Sequence, residues 1–193
     1  MKKSILILLI AAGAYCLQSC NSNNRSTDDT VEHAMDQNEE MEQSGDTGML
    51  QNDDSDFAVK AANAGMAEVS AGEIAQEKAQ DQRVKDFAAM MVQDHTKANE
   101  ELKSIAANKN ITLPAAAGED HQEQIADLNS YSGADFDKEY MGMMVDDHQK
   151  VIDLFEGAAE DIEDAELRAF AEKNLPVLRK HLEQAQALEE DID

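Results

Sequence analysis

Two six-residue stretches of this chain, MMVQDH ending at His95 and MMVDDH ending at His148, agree at five positions. In each stretch a methionine, Met91 or Met144, precedes the histidine by four residues. Residues four apart lie on one face of a helix, so each stretch would turn a thioether and an imidazole to the same side. Both side chains bind transition metals. The repeat therefore predicts either a metal site with two similar halves or a repeated packing unit.

Two residues elsewhere complete the candidate site. Glu68 lies on the apolar face of the preceding helical segment, and pairing the two segments about the turn near residue 80 places it close to the level of His95. His181, in the last helical segment, is predicted to lie about 7 Å off the level of His148. A buried carboxylate beside imidazoles needs a shared proton or a bound cation. The predicted metal ligands are Glu68, His95, His148 and His181, with Met91, Met144, Asp94 and Asp147 as further candidates, and the predicted ion is copper, iron or zinc.

The same residues admit a second interpretation, in which no metal binds. Methionine fills core gaps in many helical bundles, and a buried cluster of histidine and glutamate can form a hydrogen-bonded network. Asp94 and Asp147 each precede a histidine by one residue. At this position an aspartate can bind the metal from the edge of the site, form a hydrogen bond with a histidine ring, or remain solvated on the helix surface. On this interpretation the protein is purely structural or binds another protein.

Catalysis finds less support in the sequence. Ferritin-like di-iron centres use Glu-x-x-His on two helices, but Val92, Val145 and Leu178 stand three residues before the candidate histidines. This spacing argues against a di-iron oxidase. The chain also has neither a glycine-rich phosphate loop nor a nucleophile elbow. We therefore interpret it as a metal-binding or stress-related protein without catalytic activity.

Helical periodicity determines where these residues can meet. One short and four long segments with helical periodicity are predicted to be helices, at about residues 56–79, 82–108, 120–129, 133–158 and 165–190. Short turns join the first pair and the last pair of long helices, so each pair forms an antiparallel hairpin. About 24 residues connect the hairpins, enough to run back along a whole bundle.

The predicted fold is therefore all-α, a ferritin-like four-helix bundle whose long crossover contains the short helix. In this arrangement the two helices that carry the repeated motif run parallel. His95 and His148 should then lie at nearly the same depth.

The N-terminus predicts export and lipid anchoring. Lys2 and Lys3 precede a short apolar run, which is typical of a signal peptide over residues 1–19. The LQSC that follows resembles a bacterial lipobox, which implies cleavage before Cys20 and a lipid on its sulfur. The expected location is the bacterial cell envelope, with the protein anchored to a membrane through Cys20.

Composition bounds the domain and its partners. Residues 20–55 are polar and acidic and are predicted to be a disordered tether, whereas residues 56–193 have the length of one domain. Removing residues 1–19 takes away two lysines and no acid, so the formal net charge changes from −25 to −27. Such a charge repels nucleic acid and attracts cations. We expect two partners, a metal ion and a membrane to which the protein is attached through its lipid anchor. We expect no binding to nucleic acid, and the sequence identifies no protein partner.

Five segments occur in a recognisable order over about residues 56–188: GMAEVSAGEIA, VKDFAAMMVQDHTKANEEL, LPAAAG, SGADFDKEYMGMMVDDHQKVIDLF and LPVLRKHLE. In these segments the chain resembles the bacterial "predicted outer membrane protein" family, domain of unknown function 4142. The resemblance implies an exported ferritin-like four-helix domain at the outer membrane, with no established activity. The positions that match the family's pattern are Glu68, Asp94, His95, Asp147, His148 and His181.

Overall fold

The computed structural model describes residues 29–44 and 51–192. The described residues form six helices and no strand: α1 (Asp29–Ser44), α2 (Asn52–Lys78), α3 (Gln82–Lys109), α4 (Glu119–Ser130), α5 (Gly133–Asp161) and α6 (Ala165–Ile192). The prediction of an all-α bundle is confirmed, and the ends of α2 to α6 fall within four residues of the predicted ones. The predicted signal peptide and the predicted lipid site at Cys20 lie outside the described residues.

The four long helices α2, α3, α5 and α6 form the bundle. α2 packs along α3 and α5 packs along α6, while α2 also contacts α5 and α3 contacts α6. Two hydrophobic clusters mark the two ends. The first cluster contains the start of α2 and α6 and the end of α3 and α5, and the second contains the opposite ends. α3 and α5 therefore run parallel, as the long crossover through α4 requires.

Aromatic rings close both ends of the bundle. Three phenylalanine rings lie 5.1 to 6.4 Å apart at one end, namely Phe57, Phe155 and Phe170. At the other end, Tyr140 lies 6.4 Å from Phe87 and 6.3 Å from Phe136. The layer between these ends contains buried polar side chains, among them Glu68, His95 and His148.

Carboxylates tie the turn of each hairpin to the other hairpin. Asp137 of α5 is buried and accepts hydrogen bonds from the backbone N–H groups of Gln80 and Asp81, both at 2.8 Å, in the turn between α2 and α3. Asp54, at the start of α2, accepts from the N–H of Asp164 at 3.2 Å, in the turn between α5 and α6. These hydrogen bonds between the two hairpins fix how far each helix is shifted along the bundle axis relative to the others.

Residues 29–44 correct the expectation of a disordered tether. They form α1, which packs against α2, and Ala34 is buried. The buried amide of Asn38 donates to the carbonyl of Thr112 at 3.0 Å and accepts from its N–H at 2.7 Å. α1 thus docks through a small apolar residue and paired amide hydrogen bonds, which a hydropathy argument does not detect.

Within the described part of the chain, no helix combines the length and the apolar character needed to cross a bilayer. α6 continues through Pro176 as one helix.

Candidate metal centre

Three histidines meet in the middle layer of the bundle. His95 comes from α3, His148 from α5 and His181 from α6, and all three are buried. Their ring centroids lie 5.4 to 5.6 Å apart. One ligand nitrogen from each ring lies within 4.8 Å of the other two. The structure therefore brings His181 to the level of the other two histidines, although hairpin arithmetic placed it about one helical turn away.

Glu68 and a backbone carbonyl hold two of these rings. Oε2 of the buried Glu68 lies 2.8 Å from Nδ1 of His95, and Oε1 lies 3.4 Å from Nδ1 of His148. The carbonyl oxygen of Met144, one turn earlier in α5, lies 2.9 Å from the same Nδ1 of His148. A neutral imidazole has one N–H and one lone pair, so an Nδ1–H pointing to these oxygens leaves the lone pair on Nε2.

Asp94 holds the third ring from the surface side. Its Oδ2 lies 3.1 Å from Nε2 of His181, and its side chain is 42% exposed. The remaining ring nitrogens are buried and make no hydrogen bond: Nε2 of His95, Nε2 of His148 and Nδ1 of His181. Each ring is thus oriented by an oxygen on one nitrogen and presents the other without a partner.

The charges in the site follow from this geometry. Burial opposes the charge of Glu68, but its interactions with His95 and His148, including the hydrogen bond with His95, outweigh burial and lower the pKa of Glu68 to about 2. Burial also opposes a proton on His95, but the charge of Glu68 and the hydrogen bond to it raise the pKa of His95. At His148 and His181 burial prevails, and it lowers the pKa of His181 to about 4. Glu68 is therefore an anion, and His148 and His181 are neutral imidazoles.

Two glycines allow α3 to approach α2 on either side of Glu68. A Cβ atom on Gly65 would lie 2.1 Å from Oδ1 of Asn99, and a Cβ on Gly72 would lie 2.8 Å from Cγ2 of Val92. The space that the glycines leave is filled by side chains of α3. This close approach brings the carboxylate of Glu68 within reach of His95.

Among the described residues, the side chains of three further candidates, Met91, Met144 and Asp147, make no hydrogen bond or ion pair with the histidine rings. Met91 and Met144 are buried in the cluster that contains Tyr140, and neither lines the cavity described below. Asp147 is also buried, but it faces α4, where it accepts from Nε2 of Gln124 at 3.2 Å. Of the two acids beside the repeated histidines, only Asp94 contacts a ring of the cluster.

A cavity of about 30 Å³ adjoins the histidines. Glu68, His95 and His181 form part of its wall, together with the half-buried amides of Asn99 and Asn174. The rest of the wall is mainly apolar, and it includes Leu102, Phe155, Phe170 and Leu178. Our sequence analysis missed both asparagines. Asn99 follows His95 by four residues, so helical spacing alone places it on the same face.

The fold and the site define a helical-bundle protein with a buried cluster of three histidines. The sequence profile described as "Domain of unknown function (DUF4142)" matches residues 39–188, well over half of the chain, and the chain belongs to this family. No curated protein and no solved structure matches it.

Proposed function

We propose that the domain binds one transition-metal ion through Nε2 of His95, Nε2 of His148 and Nδ1 of His181. Two observations support this proposal: one possible ligand nitrogen from each ring lies within 4.8 Å of the other two, and each ring has one buried nitrogen without a hydrogen-bond partner. An unsatisfied buried polar atom costs about 1–3 kcal/mol. A metal ion would satisfy all three at once.

A hydrogen-bonded core network explains the cluster less well. Such a network stabilises a core when every member is satisfied, whereas one nitrogen of each ring here has no partner. The opposite nitrogens already face a carboxylate or a carbonyl oxygen. Histidines that ligate metals use this arrangement, because the oxygen fixes the ring and directs the lone pair to the ion.

The spacing suits an ion after a small adjustment. Zinc-to-nitrogen bonds of about 2.0–2.1 Å in a tetrahedral site place the nitrogens about 3.3 Å from one another. Because the ligand atoms lie within 4.8 Å of one another, the widest pair would close by about 1.5 Å at most. Three imidazoles suit zinc, copper or iron, and His95 would release any second proton when the ion binds. The proposal does not use the thioethers of Met91 and Met144, which belong to the apolar cluster around Tyr140.

We also propose that the domain acts as an envelope lipoprotein in a metal-binding or stress-related role. The residues before Cys20 support export, and LQSC supports a lipid on that cysteine, at the outer membrane in keeping with the family resemblance.

Metal titration of the mature chain, with Cys20 replaced by serine and any bound metal removed by chelation, tests the site. We expect one ion per chain by elemental analysis. The thermal midpoint should rise as Zn(II), Cu(II) or Fe(II) is added, because an ion at a hundred times its Kd stabilises the fold by about 2.7 kcal/mol.

Replacing His95, His148 or His181 by alanine should remove most of this gain. His33→Ala is the matched control, because His33 is an exposed histidine of α1, and it should keep the full gain. Midpoints that do not move with any of the ions would overturn the metal site and favour the structural interpretation.

A further inference from the structure

We infer that the bound metal keeps one coordination position open, which takes a small oxygen- or nitrogen-donor ligand of one to three heavy atoms. The ligand reaches the metal from the surface between α3 and α6. This inference rests on the proposed metal site and adds an exchangeable ligand to it.

The first observation is that the proposed site takes three ligands from the protein, while the two acids that contact the rings lie against their other nitrogens. Glu68 lies on the Nδ1 sides of His95 and His148, at 2.8 and 3.4 Å, behind the nitrogens that face the ion. Asp94 lies on the Nε2 side of His181, again behind the free nitrogen. Structural zinc sites are closed by four protein ligands, whereas sites with three protein ligands hold water or substrate in the fourth position.

The second observation is the cavity itself, which two of the three candidate ligands, His95 and His181, help to line. Its volume of about 30 Å³ is sufficient for one or two water molecules. Val177 also lines it and is 39% exposed, so the cavity extends to the surface of α6. On this inference the ligand enters beside Val177, and the small volume of the cavity limits the size of the ligand.

The chemistry of the wall indicates what enters. The amides of Asn99 and Asn174 can both donate and accept hydrogen bonds, and they face a cavity whose wall is otherwise mainly apolar. The carboxylates of Glu68 and Asp94 offset the charge of a divalent ion. The ligand in the open position therefore need not be a highly charged anion. Water, hydroxide and small linear nitrogen or oxygen donors fit these limits, and ring-shaped or branched ligands do not.

Cobalt(II) substitution tests the open position, because its visible spectrum reports the coordination of the ion. We expect sodium azide, with three heavy atoms, to change the bands of the Co(II)-loaded mature chain in a saturable manner. Imidazole, a five-membered ring, should leave the bands unchanged. Bands that azide does not alter, on a chain that holds Co(II), would overturn the open position and leave the metal site standing. A chain that takes up neither Co(II) nor the other ions would remove both proposals.

Two variants locate the route. Ala98 lines the cavity one turn after His95, so Ala98→Leu should weaken azide binding at least about tenfold, equal to about 1.4 kcal/mol, while Co(II) remains bound. Ala107→Leu is the matched control, because Ala107 is exposed on the same helix and lies outside this cavity; azide binding should stay unchanged.

If Ala98→Leu prevents Co(II) uptake, Val177→Phe at the exposed end of the cavity decides the route instead. It should slow azide entry without altering the final spectrum. Equal azide binding and entry rates in the parent and Val177→Phe would contradict entry between α3 and α6.

Discussion

Glu68 is a buried acid of α2 whose carboxylate contacts two rings of the cluster. The sequence predicts that it is a metal ligand. In the site that we propose it has a different part, as the group that orients His95 and increases the basicity of its free nitrogen. The two roles can be distinguished by measurement. Loss of a metal ligand removes a bond to the ion, whereas loss of an orienting group lowers the affinity and leaves the ion bound.

We predict that Glu68→Gln weakens metal affinity by about 10–100-fold while one ion still binds per chain, as is usual for the loss of an orienting partner. Isothermal titration with Zn(II) measures both quantities. Glu73→Gln is the control, since Glu73 is an exposed acid of the same helix, and its affinity should match the parent. A Glu68→Gln chain that binds no ion would mean that the carboxylate is a direct ligand.

The histidines also predict how the metal-free domain responds to pH. The folded pKa of His181 is lowered from 6.5 to about 4, mainly by burial, and that of His148 is lowered too. Between these two pKa values of His181 the unfolded chain binds a proton that the folded chain does not. The free energy of unfolding that His181 contributes should therefore fall as the pH falls from about 6.5 to 4.

Urea unfolding of the metal-free parent and of His181→Gln, at intervals from pH 7 to 4.5, checks this prediction. The many carboxylates titrate in both proteins, so the difference between them isolates His181. We expect the stability advantage of the parent, measured against the variant, to shrink toward low pH. A difference that stays constant with pH would contradict a depressed pKa at His181.

At the scale of single elements, α1 contributes more to the domain than its composition predicts. Asn38 pairs with both the N–H and the C=O of Thr112, at the end of α3, and Thr30 Oγ1 donates to the carbonyl of Ala116 at 3.2 Å. α1 therefore braces the start of the crossover that sets α3 and α5 parallel. Deleting residues 21–44 should lower the stability of the bundle rather than leave it unchanged.

A single substitution tests the docking of α1. Asn38→Ala leaves a backbone donor and acceptor without their buried partner, so it should lower the free energy of unfolding by about 1–3 kcal/mol. Urea unfolding measures the loss, and the amide of Thr112 should exchange its hydrogen faster. Glu40→Ala, an exposed change on the same helix, should alter neither. Unchanged stability in Asn38→Ala would show that α1 does not brace the crossover.

At the scale of the whole molecule, the net charge bears on how the protein could attach to a membrane. The formal net charge is −25 over the full sequence, and this field raises the local concentration of cations and opposes contact with anionic lipid. Attachment to a membrane would therefore depend on a covalent lipid rather than on the protein surface.

We predict that Cys20→Ser releases the protein from membranes in the native host, as measured by fractionation and by loss of a labelled fatty acid. Cys16→Ser is the matched control, because Cys16 lies within the segment predicted to be removed, and it should leave the mature protein anchored. Membrane partition of Cys20→Ser equal to that of the parent would rule out the lipid at this cysteine.

Much of the fold could be predicted from local patterns. Helical periodicity and the short turns predicted α2 to α6 and their order, because each depends on residues close in the chain. The docking of α1 could not be predicted in this way. It depends on Asn38 meeting Thr112, 74 residues away, and the tether composition predicts disorder when such long-range contacts are unknown.

For the site, residue types and their spacing predicted which residues are candidates. The repeat indicated His95 and His148, and the crossover length placed them at one depth. The roles that we propose rest on the tertiary structure, because they depend on ring orientation and on axial offsets of a few ångströms. It brought His181 into the cluster, placed Glu68 and Asp94 behind the rings and packed Met91 and Met144 in the core. Spacing along a helix specifies a face, whereas the direction of a lone pair is set by partners from other helices.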